Sequence, residues 1–256
     1  MNSNRLKRNY KTFLYFLREV YSFFFCSIHC VLCGKIVHSA ISICPECKEK
    51  YLDSFFNKHL HNSIKTCNRC GKELISETDI CFNCRRQNII QHKNYAIFPY
   101  MGIGQKLVAE WKNNGLRNYA YLFSTYILKF IESKPLISEL PIIPVPPRPN
   151  KMKVKGWDQV YDISSFLHKH GKKIIKCIKR KDGYSQKLMS KHERMKNIKE
   201  KFYFDNAFDK RVPDSVILLD DIITTGSTIS ECAHILKSCG CKNIYSVTIF
   251  LIKLSV

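Results

Sequence analysis

Two adjacent carboxylates behind an apolar run are the residues of this sequence best placed to do chemistry. Asp220 and Asp221 follow the apolar stretch 216–219, and a Thr/Gly/Ser loop comes next. Such a run is typical of a parallel-sheet strand, whose carboxyl end is where open α/β sheets bind ligands. The loop opens into a helix predicted over 229–238 and presents N–H groups to an anion, whereas carboxylates suit sugar hydroxyls or hydrated Mg²⁺. The pattern indicates a phosphorylated sugar bound with a metal ion.

The stretch 216–228 as a whole resembles the signature with which type I phosphoribosyltransferases bind phosphoribosyl pyrophosphate (PRPP). In that family the acidic pair contacts the ribose hydroxyls, and the loop binds the 5′-phosphate. The resemblance implies that Asp220 and Asp221 are catalytic-site residues. It assigns the phosphate to Thr224, Thr225, Gly226, Ser227 and Thr228. The alternative is an ordinary strand, turn and helix in which Ser227 or Thr228 is only an N-cap.

A second pattern is an internal repeat of paired cysteines. Each repeat has two C-x2-C units separated by ten residues. Four thiolates at this spacing satisfy tetrahedral Zn²⁺ and leave no open coordination position, so we predict two structural zinc sites. The ligand candidates are Cys30, Cys33, Cys44 and Cys47 in the first repeat, and Cys67, Cys70, Cys81 and Cys84 in the second.

Other roles for the cysteines remain possible from the sequence. A disulfide framework is less compatible with a chain that shows no secretory signal and has five further cysteines at unpaired-looking positions. Iron–sulfur ligation also uses four cysteines, although the ribbon-like spacing favours zinc. The spacing does not decide whether the four ligands of each ion come from one repeat or are exchanged between repeats.

The chain carries a formal charge of +21, and the charge is unevenly distributed. Residues 148–201 contain 17 Lys and Arg against five Asp and Glu. Such clustering suggests an anionic partner, either the phosphates of a small ligand or a nucleic-acid backbone. Lys151, Lys153 and Lys155 are the candidates for contacting nucleic acid, with single-stranded DNA as the expected partner. A lysine-rich composition spread over solvated faces is the alternative.

The N-terminal residues 1–25 combine a basic start with a Phe-rich stretch. Arg18 and Glu19 interrupt that stretch, and it is too short to span a membrane. The spacing of its apolar residues instead favours one apolar face of a docking helix, with a helix on a membrane surface as the alternative. Because reduced thiols that bind metal are typical of the cytoplasm, we expect a cytoplasmic protein without a membrane span.

The rest of the sequence predicts three regions and an α/β fold. After the helix in 1–25, the double zinc-ribbon module occupies 26–92 with short turns and little apolar periodicity. Residues 93–256 alternate strand and helix patterns, which indicates a parallel sheet flanked by helices. The predicted strands include 95–98, a short one before the prolines at 144–149, 173–178 and 244–252. Helices are predicted over 102–131, as one or two, and over 157–168.

The order of these parts resembles the ComF family of competence-associated proteins. In that family a Val-Pro turn and basic residues precede G-F-N-Q, and here Gly156, Trp157, Asp158 and Gln159 stand in that place. Asp158 replaces an amide donor by a carboxylate. A downstream family stretch is matched by Gln186, Arg194, Asn197 and Phe202, and a lysine of an apolar helix by Lys112. The resemblance implies a type I phosphoribosyltransferase fold with an N-terminal double zinc ribbon.

Further ligand contacts follow from this resemblance. In type I folds the turn after another strand holds the pyrophosphate, which implies roles for Pro146, Pro147 and Arg148; a plain proline turn is the alternative. Arg180 and Arg194 are candidates for clamping the diphosphate by bidentate hydrogen bonds, and Lys153 and Lys155 as point charges. As a lysine on an apolar helix, Lys112 is expected to extend into solvent rather than to bind ligand.

Two functions of different classes remain open from the sequence. The intact acidic pair and loop favour a phosphoribosyltransferase that uses Mg²⁺ and PRPP, with an unidentified acceptor and a link to DNA uptake in natural transformation. The resemblance equally favours a non-catalytic protein that binds single-stranded DNA, or a scaffold for a competence helicase or recombination mediator, with a regulatory PRPP site.

Overall fold

The computed structural model describes residues 28–38, 41–60, 65–86, 93–181, 201–208 and 211–252. The docking helix predicted in residues 1–25 lies outside this part of the chain. Arg194, predicted to clamp diphosphate, and Gln186 and Asn197 of the family stretch also lie outside it. Within the described residues, none of the helices has both the length and the apolar character that a membrane crossing needs.

The cysteine-rich region contains a helical segment that the sequence did not indicate. Strands β1 (Ile28–His29) and β2 (Ile36–Val37) pair antiparallel. Helix α1 (Pro45–Cys47) continues through a π-helical turn (Lys48–Asp53) into α2 (Ser54–Leu60), and α3 (Phe82–Arg86) follows later. The segment forms because Leu52 and Phe56, one helical turn apart, are both buried in the main core.

Strands and helices alternate in the remainder of the described chain, as predicted. Residues 102–131 form two helices rather than one. In chain order the elements are β3 (Lys93–Pro99), α4 (Ile103–Lys112), α5 (Asn118–Glu132), β4 (Ile142–Pro144), α6 (Pro149–Lys155), α7 (Gln159–Lys169), β5 (Ile178–Arg180), β6 (Phe202–Phe204), β7 (Ser215–Ile223), α8 (Ser227–Ser238) and β8 (Asn243–Leu251).

The centre of the described part is a parallel sheet in the order β3-β8-β7-β4. Its strands all run in one direction, so their carboxyl ends meet at one edge. Strands β5 and β6 form a separate antiparallel pair. The predicted α/β fold, a parallel sheet flanked by helices behind two N-terminal groups of four cysteines, is confirmed.

Helices cover both faces of the sheet, and strand β7 shows why. Ile217 and Leu219 pack into a core with α4, α5 and α7, whereas Val216 and Leu218 pack on the opposite face with α8. All four side chains are fully buried. Because side chains alternate between the faces of a strand, a strand covered on both sides is a continuous apolar run.

Several predicted elements differ in the structure. Strand β7 continues through the acidic pair to Ile223, and helix α8 begins at Ser227 rather than at residue 229. Helix α7 begins at Gln159 rather than at Trp157, because the side chain of Asp158 caps it. Residues 173–178 do not form the predicted strand; Ile174 makes one bridge with Ile142, and β5 starts only at Ile178. Strand β4 cannot extend this pairing, since it is three residues long and prolines in and after it lack the N–H that a ladder needs.

Candidate functional site

The acidic pair lies near the carboxyl end of β7, at the edge where the parallel strands end. The backbone N–H of Asp221 donates to Oδ1 of Asp220 at 2.8 Å, which holds the carboxylate of Asp220 against the backbone of its neighbour. Burial and the neighbouring carboxylate of Asp221 together raise the pKa of Asp220 well above its ordinary value. Two carboxylates in such a setting favour a proton or a cation between them.

The proline turn after β4 lies beside the acidic pair because β4 and β7 are neighbours. Pro144 is in register with Leu219, and the N–H of Val145 donates to the carbonyl of Leu219 at 2.9 Å. Pro146, Pro147 and Arg148 follow directly, and Arg148 is the residue from which α6 begins. The turn predicted to hold pyrophosphate therefore faces the end of the strand that carries Asp220.

The loop after β7 leads into the N-terminus of the twelve-residue helix α8. Gly226 has a φ of 79°, and a Cβ there would meet only the side chain of Ile223, at 3.6 Å. Backbone conformation rather than crowding therefore requires glycine. The hydroxyl of Thr225 donates to Oγ of Ser227 at 3.2 Å. Because the first turn of a helix has N–H groups without intrahelical partners, this loop is suited to an anion.

A cavity of about 250 Å³ brings most of the predicted residues together. Its walls combine carboxylates with cationic side chains, a pairing that suits a metal ion bound with phosphates. The lining residues predicted from the sequence are Asp220, Asp221, Thr228, Pro146, Pro147, Arg148, Arg180 and Lys151. Thr224, Thr225, Gly226 and Ser227 stand next to this lining rather than in it.

Arg180 reaches the cavity from β5, outside the parallel sheet. Its guanidinium lies over the ring of Phe202, 4.9 Å from the ring centre, which fixes the side chain in place. Burial, and then the positive charge of Arg148, lower the pKa of Arg180. Two guanidinium groups close enough to repel each other are stabilised by an anion between them.

Lys112 also lines the cavity, contrary to the expectation that its ammonium would extend into solvent. Its Nζ lies 2.5 Å from Oδ2 of Asp221. The prediction was wrong because the partner carboxylate comes from β7, far away in the sequence. One feature of the sequence could have indicated this position of Lys112: it stands at the end of α4, directly after Trp111, which is buried.

The three lysines proposed for nucleic acid differ in their surroundings. Lys151 turns into the cavity, where its Nζ lies 2.5 Å from Oδ2 of Asp158 and also contacts Oε1 of Gln159. Lys153 and Lys155 lie on the exposed side of α6, and Lys155 donates to the carbonyl of Lys112 at 3.0 Å. Lys151 therefore belongs to the cavity, and the other two to the outer surface.

The cysteines form two groups, each built from one repeat. The sulfur atoms in each group all lie within 4.8 Å of one another. Cys33 and Cys44 are 3.7 Å apart, as are Cys70 and Cys81. Four thiolates bonded at about 2.3 Å to one tetrahedral ion have sulfurs about 3.8 Å apart. Each group could therefore hold a structural zinc ion, and the pairing left open by the sequence is within the repeat.

The two cysteine groups differ in how they join the rest of the chain. Cys30, Cys44 and Cys47 are part of the main core, whereas the second group forms a separate small cluster. The second group is tied to the sheet by Asn94, whose side chain donates to the carbonyl of Cys70 at 2.9 Å and accepts from Ser246 at 2.8 Å. The domain boundary predicted at residue 93 stays a prediction.

The chain is similar to two curated competence proteins. It is 27% identical over 238 residues to Competence protein F of Haemophilus influenzae, covering 86% of this chain and 95% of the relative. It is 20% identical over 230 residues to Competence protein ComFC of Streptococcus pneumoniae, covering 84% and 96%. No family model matches the chain. These relatives confirm the resemblance to ComF-type proteins over nearly their whole length.

Solved structures that resemble the chain include phosphoribosyltransferases. One is a hypoxanthine phosphoribosyltransferase from Staphylococcus aureus, 13% identical, with a TM-score of 0.29 over 55% of this chain and 67% of that chain. Another is an alanine mutant from an analysis of an invariant aspartic acid in HPRTs, also 13% identical, with a TM-score of 0.32 over 55% and 71%.

Proposed function

We propose that the cavity binds PRPP together with Mg²⁺ and that the protein is a phosphoribosyltransferase of a still unidentified acceptor. The observation that carries the proposal is the placement of opposite charges around one cavity. Asp220 and Asp221, near the carboxyl end of β7, line this cavity together with Arg148 and Arg180. A ligand with ribose hydroxyls and a diphosphate meets both sets of groups at once.

The acidic pair also has the donor chemistry that Mg²⁺ prefers. Mg²⁺ keeps several waters and takes one or two carboxylates together with substrate phosphates. A cation would offset both the burial and the repulsion by Asp221 that raise the pKa of Asp220. Held by these carboxylates, the ion would supply positive charge to a departing pyrophosphate. The contribution of the chain is to orient the ribose through Asp220 and Asp221 and to hold the phosphates through Arg148, Arg180 and the N–H groups of the loop 224–228.

We further propose that each cysteine group holds one Zn²⁺ with a structural role. All four donors of each group are sulfur atoms of cysteine, which leaves no position for a reacting molecule. The same chemistry requires reduced thiols, so a cytoplasmic location remains our prediction.

Calorimetric titration with PRPP, with and without Mg²⁺, tests the central proposal. We expect binding that requires Mg²⁺ and is lost in Asp220→Asn/Asp221→Asn, since the variant removes the charge for the metal and acceptors for the ribose hydroxyls. Hydrogen bonds to charged groups contribute about 1.5–3 kcal/mol each. Two such losses weaken binding by about two to four orders of magnitude.

Asp214→Asn is the matched control, because Asp214 lies just before the opposite end of the same strand and pairs there with Lys242. It should bind PRPP like the wild type. Unchanged binding in the double variant would refute the assignment of the acidic pair. Release of pyrophosphate with nucleobases, ammonia or DNA as acceptor then separates catalysis from a regulatory PRPP site.

A second candidate function is binding of single-stranded DNA. The names of the relatives link them to competence, the chain carries a charge of +21, and α6 presents Lys153 and Lys155 on its exposed side. In this function the PRPP site is regulatory, and the protein acts in DNA uptake, alone or as a scaffold for a competence helicase or recombination mediator. Binding of DNA and binding of PRPP are compatible, since the exposed lysines lie outside the cavity.

A further inference from the structure

Asp158 uses its two carboxylate oxygens for different tasks. Oδ1 accepts hydrogen bonds from the N–H groups of Val160 and Tyr161, at 2.9 and 3.2 Å, and so caps helix α7. Oδ2 lies 2.5 Å from Nζ of Lys151. The side chain of Asp158 is only 4% exposed, and both it and Lys151 line the cavity. The cap needs one oxygen, so the second is available to hold the lysine.

The consequence concerns the charge that the cavity offers to a ligand. Lys151 is a cation in the wall of a site where phosphates are proposed to bind. Its ammonium is already paired with the carboxylate of Asp158. Because Asp158 is buried, water screens this ion pair less than it would a surface pair. An incoming anion must therefore either separate Lys151 from Asp158 or bind without a contact to Lys151.

We propose that Asp158 sets the anion affinity of the cavity by competing with the ligand's diphosphate group for Lys151. This inference rests on the proposed function, since it concerns the same cavity. Asp158 is a positioning residue, because it acts through Lys151 and not on the ligand. The competing chemistry is that of a carboxylate against phosphate oxygens, and both bind an ammonium as a point charge.

Asparagine at this position separates the two tasks of Asp158. Asn and Asp are about equally good N-caps, so an amide oxygen retains the cap of α7. The remaining amide nitrogen donates and cannot accept from an ammonium, so it does not hold Lys151. The ComF-like motif has Asn at this place, and this chain has Asp158 instead. Lys151 then keeps its contact with Oε1 of Gln159, which carries no charge, and an anion competes with that contact more readily than with a carboxylate.

Titration with inorganic pyrophosphate in the absence of divalent metal measures this competition. Wild type and Asp158→Asn are compared at low and equal ionic strength. We expect Asp158→Asn to bind pyrophosphate about tenfold more tightly, equivalent to about 1.4 kcal/mol. Melting temperature shows whether the variant is folded, because the cap is retained although the ion pair is lost. Equal or weaker binding by a folded Asp158→Asn overturns the proposal.

Two further variants separate the release of Lys151 from a general change in charge. Asp162→Asn removes a carboxylate one turn along the same helix, where Asp162 pairs with Arg117 at 2.6 Å, and it should leave pyrophosphate binding unchanged. Lys151→Met should remove most of the gain caused by Asp158→Asn. An equally large gain in the Lys151→Met background, or the same gain from Asp162→Asn, overturns the proposal.

The experiment also distinguishes this inference from the proposed function. If wild type and Asp158→Asn both fail to bind pyrophosphate, and wild type also fails to bind PRPP with Mg²⁺, the phosphate site itself is wrong and the inference falls with it. If wild type binds PRPP with Mg²⁺ but Asp158→Asn gains nothing for pyrophosphate, only the role of Asp158 is overturned.

Discussion

The ammonium of Lys112 at the end of α4 lies 2.5 Å from a carboxylate oxygen of Asp221 on β7. Their side chains are 28% and 16% exposed, so the pair is partly shielded from water. The carboxylate that we propose for the metal and the ribose thus already has a cation of the protein as its partner. Lys112 provides part of the charge that a divalent ion would provide.

Replacing Lys112 should therefore strengthen the binding of a divalent ion in the absence of PRPP. We expect Lys112→Met to bind Mn²⁺ about tenfold more tightly than wild type, about 1.4 kcal/mol, because Asp221 loses its competitor. Electron paramagnetic resonance of free Mn²⁺ measures this directly. Lys106→Met, on the exposed side of the same helix, is the control. Weaker Mn²⁺ binding in a folded Lys112→Met would mean that Lys112 supports the site instead.

The raised pKa of Asp220 predicts a specific dependence of stability on pH. The folded state holds this proton more tightly than the unfolded state does. The free energy of unfolding therefore decreases as pH rises from the ordinary pKa of Asp through the raised pKa of the folded protein. Asp220→Asn removes this loss, so its melting temperature without metal should exceed that of wild type at neutral pH. The difference should vanish toward pH of about 4.

Asp214→Asn should behave in the opposite way. Lys242 and Arg211 lower the pKa of Asp214, so its carboxylate stabilises the fold above its ordinary pKa and this contribution is lost as pH falls. Asp214→Asn should be slightly less stable than wild type at neutral pH, with the difference closing in acid. Melting curves measured between acid and neutral pH check both variants. An Asp220→Asn variant less stable than wild type at neutral pH would contradict the argument.

The two cysteine groups should respond differently to the loss of a ligand. Cys44 belongs to the main core, so Cys44→Ser should lower the melting temperature of the whole protein as well as its zinc content. Cys81 belongs to the separate cluster, so Cys81→Ser should remove one zinc ion with a smaller effect on the main transition. Elemental analysis and calorimetry measure both quantities. Fewer than two zinc ions in fresh wild-type protein would contradict the assignment of both sites.

The exposed side of α6 should contribute to binding of single-stranded DNA. Val154 between the two lysines is 85% exposed, so this side faces solvent. Lys153→Glu/Lys155→Glu should weaken binding and reduce the log–log salt slope by about 0.7 for each DNA phosphate that the variant no longer binds. Lys106→Glu/Lys237→Glu changes charge equally on α4 and α8 and is the control. Fluorescence anisotropy across salt concentrations measures the slope. Binding that does not depend on salt would exclude this function.

The local patterns of the sequence were sufficient for the sheet and for the cysteine groups. Strand β7 and helix α8 follow from an apolar run, a Thr/Gly/Ser loop and a helical apolar pattern that are adjacent in the chain, although α8 begins at Ser227, two residues before the predicted start. The spacing of four cysteines within a repeat likewise limits the ligands to residues that are close in sequence. These features were predicted because their determinants are local.

The charge balance of the cavity was decided by the tertiary structure. Lys112 meets Asp221 only because α4 ends beside the carboxyl edge of β7, and Lys151 meets Asp158 because α6 turns back toward the start of α7. From the sequence we predicted that Lys112 extends into solvent and that Lys151 contacts nucleic acid. These predictions missed the ion pairs because the identity of a charged residue does not indicate which residue it pairs with. Ion pairs depend on distances of a few ångströms between separate elements, and only packing of the helices on the sheet determines those distances.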